Sequence, residues 1–213
     1  MHGGRDNRAR GLICLALAFS TAAAYWQAGS LGFLNFDDPE YVTENDHVRA
    51  GLTWEGVVRA FTSFQAANWH PLAWLSHMLD CQIFGVAAGP HHLVNVALHI
   101  LNSLLLFRLL TSLTSSTWRS ATVAAMFALH PAHVESVAWI AERKDVLSTG
   151  FGLLALLMYA RYVGQVSAEG RASGDRSVTL ASDSSRQNGF VPRDRNYWAA
   201  FLCFALSLMS KPM

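Results

Sequence analysis

The chain has 213 residues, of which 52% are hydrophobic and 15% are charged, and its formal net charge is +1. Soluble globular domains usually contain about a quarter charged residues, so this composition favours a membrane protein with polar loops. The net charge alone indicates nothing, because the two signs are segregated along the chain; no nucleic-acid partner is expected. Three cysteines without a CxxC pair predict neither a disulfide framework nor a cysteine metal site.

The first apolar run follows a basic N-terminus. Residues 1–10 contain three arginines, and residues 11–29 are long and apolar enough for a membrane helix, which needs roughly 17–25 residues. A signal peptide cleaved near "STAAAY" is the alternative. An uncleaved helix is favoured because Trp26 follows at the depth of an aromatic belt.

Residues 30–92 are predicted to form an ordered loop with two amphipathic helices. In "LTWEGVVRAF", Trp54, Val57, Val58 and Phe61 share one helical face. In "HPLAWLSHMLDCQIFG", Leu72, Leu75 and Leu79 line one side, between a helix start at Pro71 and a stop at Gly85. Both helices are expected to lie along the membrane surface. A small core that buries these faces away from lipid is the alternative.

Four more apolar segments complete the predicted membrane region. Helices are expected at 93–110, 120–140 and 146–163, and a further one begins at 197 and continues to residue 213. Residues 164–196 are rich in Ser, Gly and Arg and are predicted to be a disordered loop. The predicted fold is therefore all-α, a polytopic transmembrane bundle of about five helices.

The distribution of Lys and Arg predicts the orientation in the membrane. If the N-terminus is cytoplasmic, eleven of the sixteen basic residues fall on the cytoplasmic side and five on the outer side. This is the expected positive-inside bias. Residues 1–10 and 164–196 are thus predicted to be cytoplasmic, and loop 30–92 to be outside, in an integral multi-pass protein.

Acidic residues follow the first membrane helix in "NFDDPEYV". Asp37 and Asp38 could simply form a turn before Pro39. A carboxylate beside low-dielectric material can instead have a raised pKa and act as a general base near neutral pH. Both alternatives remain open from the residues alone.

A second polar cluster lies in "LHPAHVESVAWIAERKDVLS". His130, His133 and Glu135 could share a helical face and hold a divalent metal, although their spacing matches no zinc motif and Pro131 interrupts the helix. Arg143 and Lys144 at the start of the next helix could bind a phosphate or anchor the helix at the interface.

A third polar group surrounds the second membrane helix. His70 lies in "NWHPLAWLSHMLD", and Asn95, His99 and Asn102 form a polar stripe within the helix. For this stripe we favour structural hydrogen bonding inside the bundle. A transporter path is the alternative, but the chain shows no pair of broken helices of the kind that transporters use.

Five motifs together resemble the membrane region of the transmembrane and tetratricopeptide repeat-containing protein family. They are "NFDDPEYVTEN", "NWHPLAWLSHMLDCQIFG", "HHLVNVALHILNSLLLFRLL", "FALHPAHVESVAWIAERKDVLS" and "ALSLMSKPM". The resemblance implies a GT-C-like fold related to protein O-mannosyltransferases. It also implies transfer of a sugar, mannose above all, from a polyprenyl-phosphate donor in the bilayer to a protein hydroxyl, with inversion.

The resemblance also implies roles for individual residues. Asp37 or Asp38 is expected to be the catalytic base, and Arg143 or Lys144 to stabilise the departing lipid phosphate. His70, His130, His133 and Glu135 are expected to shape the substrate pocket. No metal ligand and no cofactor are assigned, with a divalent metal as the alternative.

The sequence departs from the family pattern in two places. It ends at "KPM" with no tetratricopeptide repeats, so a truncated N-terminal fragment, inactive alone, is expected. Loop 164–196 resembles an insertion. The competing hypothesis to an enzyme is a non-catalytic membrane anchor or lipid-phosphate-binding module for a repeat protein.

Overall fold

A computed structural model describes residues 2–64, 69–174 and 194–211, and every regular element in these ranges is a helix. The bundle consists of α1 (His2–Ala24), α5 (Ala88–Thr114), α6 (Thr117–Leu129), α8 (Arg143–Gly174) and α9 (Arg195–Ser210). Helix α5 is central, because it packs against α1, α6 and α8, while α9 packs on the other side of α8. The all-helical prediction is confirmed for the described residues.

Two of these helices are long and apolar enough to cross a membrane, by length and composition alone. They are α5, over Ala88–Thr114, and the Arg143–Ala168 part of α8. About five were predicted from the sequence. Helices α6 and α9 have 13 and 16 residues, which is shorter than a perpendicular bilayer crossing needs, and the start of α1 contains four charged residues.

The single helix predicted over residues 120–140 is broken in two. Helix α6 ends at Leu129, a 3₁₀ turn covers Pro131–His133, and the short helix α7 covers Val134–Ala138. His130 is extended, with φ −70° and ψ 129°, because the ring of the following proline disfavours the helical conformation. The break turns the chain back towards α5.

The loop predicted over residues 164–196 is helical at its start. Helix α8 continues to Gly174, so residues 164–174 extend the helix instead of ending it. At the other end of the prediction, Arg195 and Asn196 belong to α9. Residues 175–193 lie outside the described part of the chain.

The segment between α1 and α5 folds into short helices. A 3₁₀ turn at Trp26–Ser30 and a π turn at Pro39–Thr43 lead to α2 (Asp46–Arg49), α3 (Trp54–Thr62) and α4 (Pro71–Phe84). Side chains cap two of them: Asn45 accepts from the Val48 amide at 3.3 Å, and Thr53 accepts from the Gly56 amide at 3.1 Å. Such caps satisfy amides that a helix start leaves free.

A small apolar core joins this segment to the turn before α8. Its buried members include Tyr41, Val42, Trp74, Met78 and Ile140. Because these residues come from three separate stretches of sequence, the core fixes the acidic segment after α1 against the polar stretch before α8. The two segments singled out from the sequence therefore meet in space.

Helix α3 exposes the apolar face that the sequence predicts for membrane contact. Trp54 is 82% exposed and Phe61 is 40% exposed, whereas Gly56 and Ala60 are the buried residues, in contact with the neighbouring elements. A small core that hides the apolar face would bury Trp54. The structure thus favours the interfacial interpretation.

Helix α4 buries its polar side and leaves part of its leucine side outward. Leu79 is 44% exposed, while His77 and Asp80 are 0% and 4% exposed. The polar side is buried because Arg143 binds it and compensates the burial of the Asp80 carboxylate. The predicted placement of the leucine side along the membrane surface stays a prediction.

One end of the bundle gathers the polar groups. Arg143 at the start of α8 bonds to His91 near the start of α5, and Lys211, just after α9, pairs with Asp145. Helices α5 and α8 therefore begin where α9 ends. We call this region, with residues 26–87 and 130–142, the loop end of the bundle.

Candidate active site at the loop end

Asp38 is a structural carboxylate at the loop end. It is fully buried, and both of its oxygens accept backbone hydrogen bonds, from Leu34 at 2.8 Å and from Ala141 at 3.0 Å. The second bond joins residues 103 positions apart. Asp38 therefore ties the acidic segment to the turn before α8.

Asp37 has a different environment. It is half-buried, and no group among the described residues hydrogen-bonds to its carboxylate. It lies near Tyr41, since its charge is one of the contributions that raise the pKa of that phenol, after burial and after the effect of Glu142. A free, partly buried carboxylate is the form that a general base needs.

Tyr41 is the centre of a ring stack beside Asp37. Its ring stacks on His70 and Trp74, with centroids 5.3 Å and 4.8 Å away. The ammonium of Lys144 lies 5.0 Å from the Tyr41 centroid and 3.5 Å from its hydroxyl. The stack thus places the Lys144 ammonium on the face of the Tyr41 ring.

His70 is neutral in this stack. Burial, with a smaller effect from Lys144, lowers the pKa of His70 to about 4. It is 0% exposed, and neither ring nitrogen has a hydrogen-bond partner among the described residues. His70 thus packs under Tyr41, at the position where the sequence predicted a substrate contact.

Arg143 binds the protein itself. It is fully buried, and four of its five N–H groups are engaged, by Asn95 at 2.7 Å, Ser76 at 3.2 Å, Asp80, and the His91 carbonyl at 2.7 Å. One guanidinium therefore joins α4, α5 and α8. Arg143 is therefore not available for the phosphate contact that the sequence predicted. Its neighbour Lys144 is available for that contact.

The polar stripe of α5 faces neighbouring helices. Asn95 donates to the Trp139 carbonyl at 2.9 Å, Asn102 to the Val146 carbonyl at 2.8 Å, and His99 lies 3.1 Å from the Ala128 carbonyl. Each bond satisfies a carbonyl at a helix end or turn. The stripe therefore has the structural role that the sequence favoured.

His133 and Glu135 line different cavities, although they are two residues apart. His133 lies with Ser136, Asp145 and Lys211 around a polar cavity of about 350 Å³. Glu135 lines a second cavity of about 390 Å³, together with Leu34, His92 and Trp139 among others. His130 is exposed and accepts from the Ala132 amide at 3.1 Å. The structure does not gather these three residues into one metal site.

One other group has the composition of a metal site. His77, Asp80 and His91 are buried, and their ligand atoms lie within 4.8 Å of one another. Both ring nitrogens of His77 lack a partner among the described residues. However, the guanidinium of Arg143 already neutralises Asp80, so this group functions as a buried ion pair flanked by neutral histidines.

An ion-pair network that the sequence did not reveal runs along the loop end. Glu142 pairs with Lys144 at 2.9 Å and with Lys211 at 3.9 Å. Lys211 also pairs with Asp145, which accepts from Ser136 at 3.0 Å. Sequence reasoning missed four residues of this region: Tyr41, Glu142, Asp145 and Lys211. No local sequence pattern joins these residues; Lys211, for example, follows Glu142 by 69 positions.

Comparison with known proteins identifies relatives of one kind. The chain is 33% identical over 181 residues to protein O-mannosyl-transferase Tmtc2 of Drosophila melanogaster, over 80% of this chain and 18% of that protein. It is 32% identical to Drosophila Tmtc1 over 70% of this chain and 18% of the relative, and 27% identical to mouse TMTC3 over 67% and 16%. The chain therefore spans less than a fifth of the length of these relatives.

Two other comparisons gave no match. The chain matches no family profile, and no solved structure is similar to it.

Proposed function

Since the chain belongs to the Tmtc-like family of protein O-mannosyl-transferases, we propose that it is a membrane region of a GT-C-type enzyme. In this proposal the enzyme transfers a sugar, mannose, from a polyprenyl-phosphate donor in the bilayer to a hydroxyl of a protein acceptor. The observation that supports it best is the loop end, where Asp37, a half-buried carboxylate with no hydrogen-bond partner among the described residues, lies four positions before Tyr41, whose ring contacts the Lys144 ammonium.

Asp37 is the base in this mechanism. The acceptor oxygen attacks the anomeric carbon of the sugar, and its proton passes to the Asp37 carboxylate. The bond from the anomeric carbon to the phosphate oxygen breaks, and its electron pair leaves with the polyprenyl phosphate. Asp38 cannot take this role without losing its bonds to Leu34 and Ala141, so the two adjacent aspartates divide catalysis and structure.

Lys144 stabilises the negative charge on the departing phosphate. Its ammonium is held by Glu142 and Tyr41, and its side chain is 15% exposed, so water screens it only partly. Arg143 positions Lys144 by fixing the first turn of α8 against α4 and α5. His133, which borders the polar cavity of about 350 Å³, contacts the sugar.

The proposed placement in the membrane follows from the two apolar helices. Helices α5 and α8 cross the bilayer, the loop end faces the non-cytoplasmic side, and α3 rests its exposed Trp54 and Phe61 in the interface. The donor then reaches Asp37 laterally from the lipid.

The test separates binding from transfer in the full-length protein. We expect Asp37→Asn to bind the donor normally but to lose about 10²–10⁴-fold of the transfer rate, the usual contribution of a general base. Lys144→Met is expected to weaken donor binding as well as transfer. Arg49→Met is the matched control, since Arg49 is an exposed cation of α2 and pairs, among the described residues, only with Asp46.

The measurement is transfer of labelled mannose from polyprenyl-phosphate mannose to a peptide hydroxyl, together with donor binding in detergent. Donor binding without transfer in the wild-type protein would contradict the enzyme and favour a lipid-phosphate-binding anchor. Normal transfer by Asp37→Asn would remove Asp37 from the mechanism.

A further inference from the structure

The two lysines of the chain meet at one carboxylate. Among sixteen basic residues, fourteen are arginines and two are lysines, Lys144 and Lys211. Lys144 approaches one oxygen of Glu142 at 2.9 Å, and Lys211 approaches the other at 3.9 Å. The Glu142 carboxylate therefore bridges one ammonium group at the start of α8 and another just after the end of α9.

This arrangement differs from the other cations at the loop end. Arg143 is fully buried and held by four acceptors on two helices, α4 and α5, so it cannot turn to a ligand. A lysine ammonium is a compact charge with three donors on a flexible stem, and it can exchange one anion for another. The Lys211 side chain is 43% exposed, which leaves it accessible.

The charges around Glu142 balance without any ligand. Two ammonium groups face two carboxylates, Glu142 and Asp145. A phosphate that entered between the lysines would compete with Glu142 for the same donors. The product, a polyprenyl phosphate monoester, carries about −1.5 to −2 charges at neutral pH, as phosphate monoesters do, and so matches two lysines better than one.

The space beside the two lysines is suited to a headgroup. Lys211 and Asp145 border the polar cavity of about 350 Å³ that also contains His133 and Ser136. Ligand sites usually have volumes of roughly 300–1,000 Å³. Lys211 connects this cavity to Glu142, which it approaches at 3.9 Å, and Glu142 in turn pairs with Lys144 at 2.9 Å.

We propose that Lys144 and Lys211 together form the binding site for the phosphate of a polyprenyl lipid, and that Glu142 occupies this site as an internal stand-in until the phosphate displaces it. The inference rests on the proposed function and adds to it a second phosphate ligand, Lys211, and a competing group, Glu142. It assigns to Glu142 an inhibitory effect on lipid-phosphate binding.

The sign of the Glu142 effect makes the proposal testable. If Glu142 competes with the ligand, Glu142→Gln leaves Lys144 without a carboxylate partner and leaves Lys211 with Asp145 alone, and we expect the variant to bind a short-chain polyprenyl phosphate several-fold more tightly than the wild-type protein. If Glu142 merely holds the lysines in place, the same change lets them drift and weakens binding. Lys211→Met is expected to weaken binding by about tenfold, the effect of about 1.4 kcal/mol.

The experiment is titration of the detergent-solubilised full-length protein with polyprenyl phosphate, with the matching polyprenol and with inorganic phosphate. Arg49→Met is the control variant, and thermal melting without ligand verifies that each variant is folded. Tighter binding by Glu142→Gln with weaker binding by Lys211→Met supports the proposal. Weaker binding by Glu142→Gln, or unchanged binding by Lys211→Met, overturns it.

The three ligands distinguish a lipid phosphate from free phosphate. The outcomes also distinguish a failure of this inference from a failure of the proposed function. Inorganic phosphate that binds as tightly as the lipid would overturn the lipid assignment. If wild-type protein binds polyprenyl phosphate and transfers sugar but Lys211→Met behaves like wild type, only this inference fails. If wild-type protein neither binds the lipid nor transfers sugar, the proposed function fails with it.

Discussion

At the scale of single residues, Arg143 shows how the protein accommodates a buried charge. The guanidinium has lost all contact with water, which costs several kcal/mol unless hydrogen bonds and an opposite charge compensate. Asp80 supplies the charge, and Ser76, Asn95 and the His91 carbonyl supply the other acceptors. The same bonds hold α4, α5 and α8 in register.

The first prediction tests this buried pair. Arg143→Met leaves the Asp80 carboxylate buried without a counter-charge, so we expect the folded state to lose about 3–5 kcal/mol of stability. The double variant Arg143→Met with Asp80→Leu removes both charges and is expected to recover part of that loss. Thermal melting of the two variants in detergent measures the difference; equal melting temperatures would show that the pair is not coupled.

The second prediction concerns pH and His70. The pKa of His70 is lowered to about 4 in the folded protein from the ordinary 6.5, chiefly by burial. As pH falls below about 6.5, the unfolded chain takes up this proton first. The contribution of neutral His70 to stability is therefore complete above pH 6.5, decreases as pH falls from 6.5 to about 4, and does not fall further below that. His77, whose pKa is also lowered by burial, acts in the same direction.

His70→Phe isolates this contribution, because phenylalanine retains a ring against Tyr41 and Trp74 but cannot bind a proton. We expect its melting temperature to fall less than that of wild type between pH 7 and pH 4.5. His130→Phe is the control, since His130 is exposed. A wild-type slope that His70→Phe does not reduce would contradict the assignment.

At the scale of elements, close approach of the chain fixes where α5 begins. A Cβ on Gly89 would lie 2.6 Å from the Gly29 carbonyl oxygen, which real contacts do not allow. The 3₁₀ turn after α1 and the first turn of α5 therefore depend on the absence of a side chain at Gly89. This contact contributes to the position of the acidic segment that follows Gly29.

The third prediction follows from that contact. Gly89→Ala forces backbone to move and is expected to destabilise the protein by about 1–3 kcal/mol, as overpacked positions do. Gly164→Ala is the matched control, because Gly164 also lies in a helix but a Cβ there meets nothing within 4 Å. We expect that control to be neutral or slightly stabilising. A lower melting temperature for Gly164→Ala than for Gly89→Ala would contradict the close contact between Gly89 and the Gly29 carbonyl.

The helices differ in how far local sequence determines them. The end of α6 at Leu129 can be predicted from His130 and Pro131, since a residue before proline avoids the helical region. The apolar run beyond Pro131 nevertheless favoured the prediction of one long helix. The exposed face of α3 followed from periodicity alone. The buried face of α4 did not, because Asp80 is buried only through Arg143, 63 residues later.

The same distinction holds for the candidate site. The paired aspartates and Lys144 were visible as charges beside apolar runs. The different roles of Asp37 and Asp38 were not visible, because the structural role of Asp38 depends on the Ala141 amide, 103 residues away. The site at Lys211 was missed for the same reason: its partners Glu142 and Asp145 are brought to it only by the packing of α8 on α9.

At the scale of the whole molecule, the proposed topology requires one orientation. If α5 and α8 cross the bilayer, Ser63 after α3 and Ser167 near the end of α8 lie on opposite sides. In a background with Cys14, Cys81 and Cys203 replaced, we expect a cysteine at Ser63 to react with an impermeant thiol reagent in intact cells and one at Ser167 to resist it. The reverse labelling would place the loop end in the cytoplasm.

The division of labour between Asp37 and Asp38 is the central claim, and one paired measurement tests it most directly. Mannosyl transfer and melting temperature are measured for Asp37→Asn and Asp38→Asn in the full-length protein. We predict that Asp37→Asn melts like wild type but transfers at least 100-fold more slowly. Asp38→Asn, which sets an amide donor against a backbone N–H, is predicted to lose about 1–3 kcal/mol of stability. Wild-type transfer by Asp37→Asn, together with wild-type melting and abolished transfer in Asp38→Asn, would contradict the account.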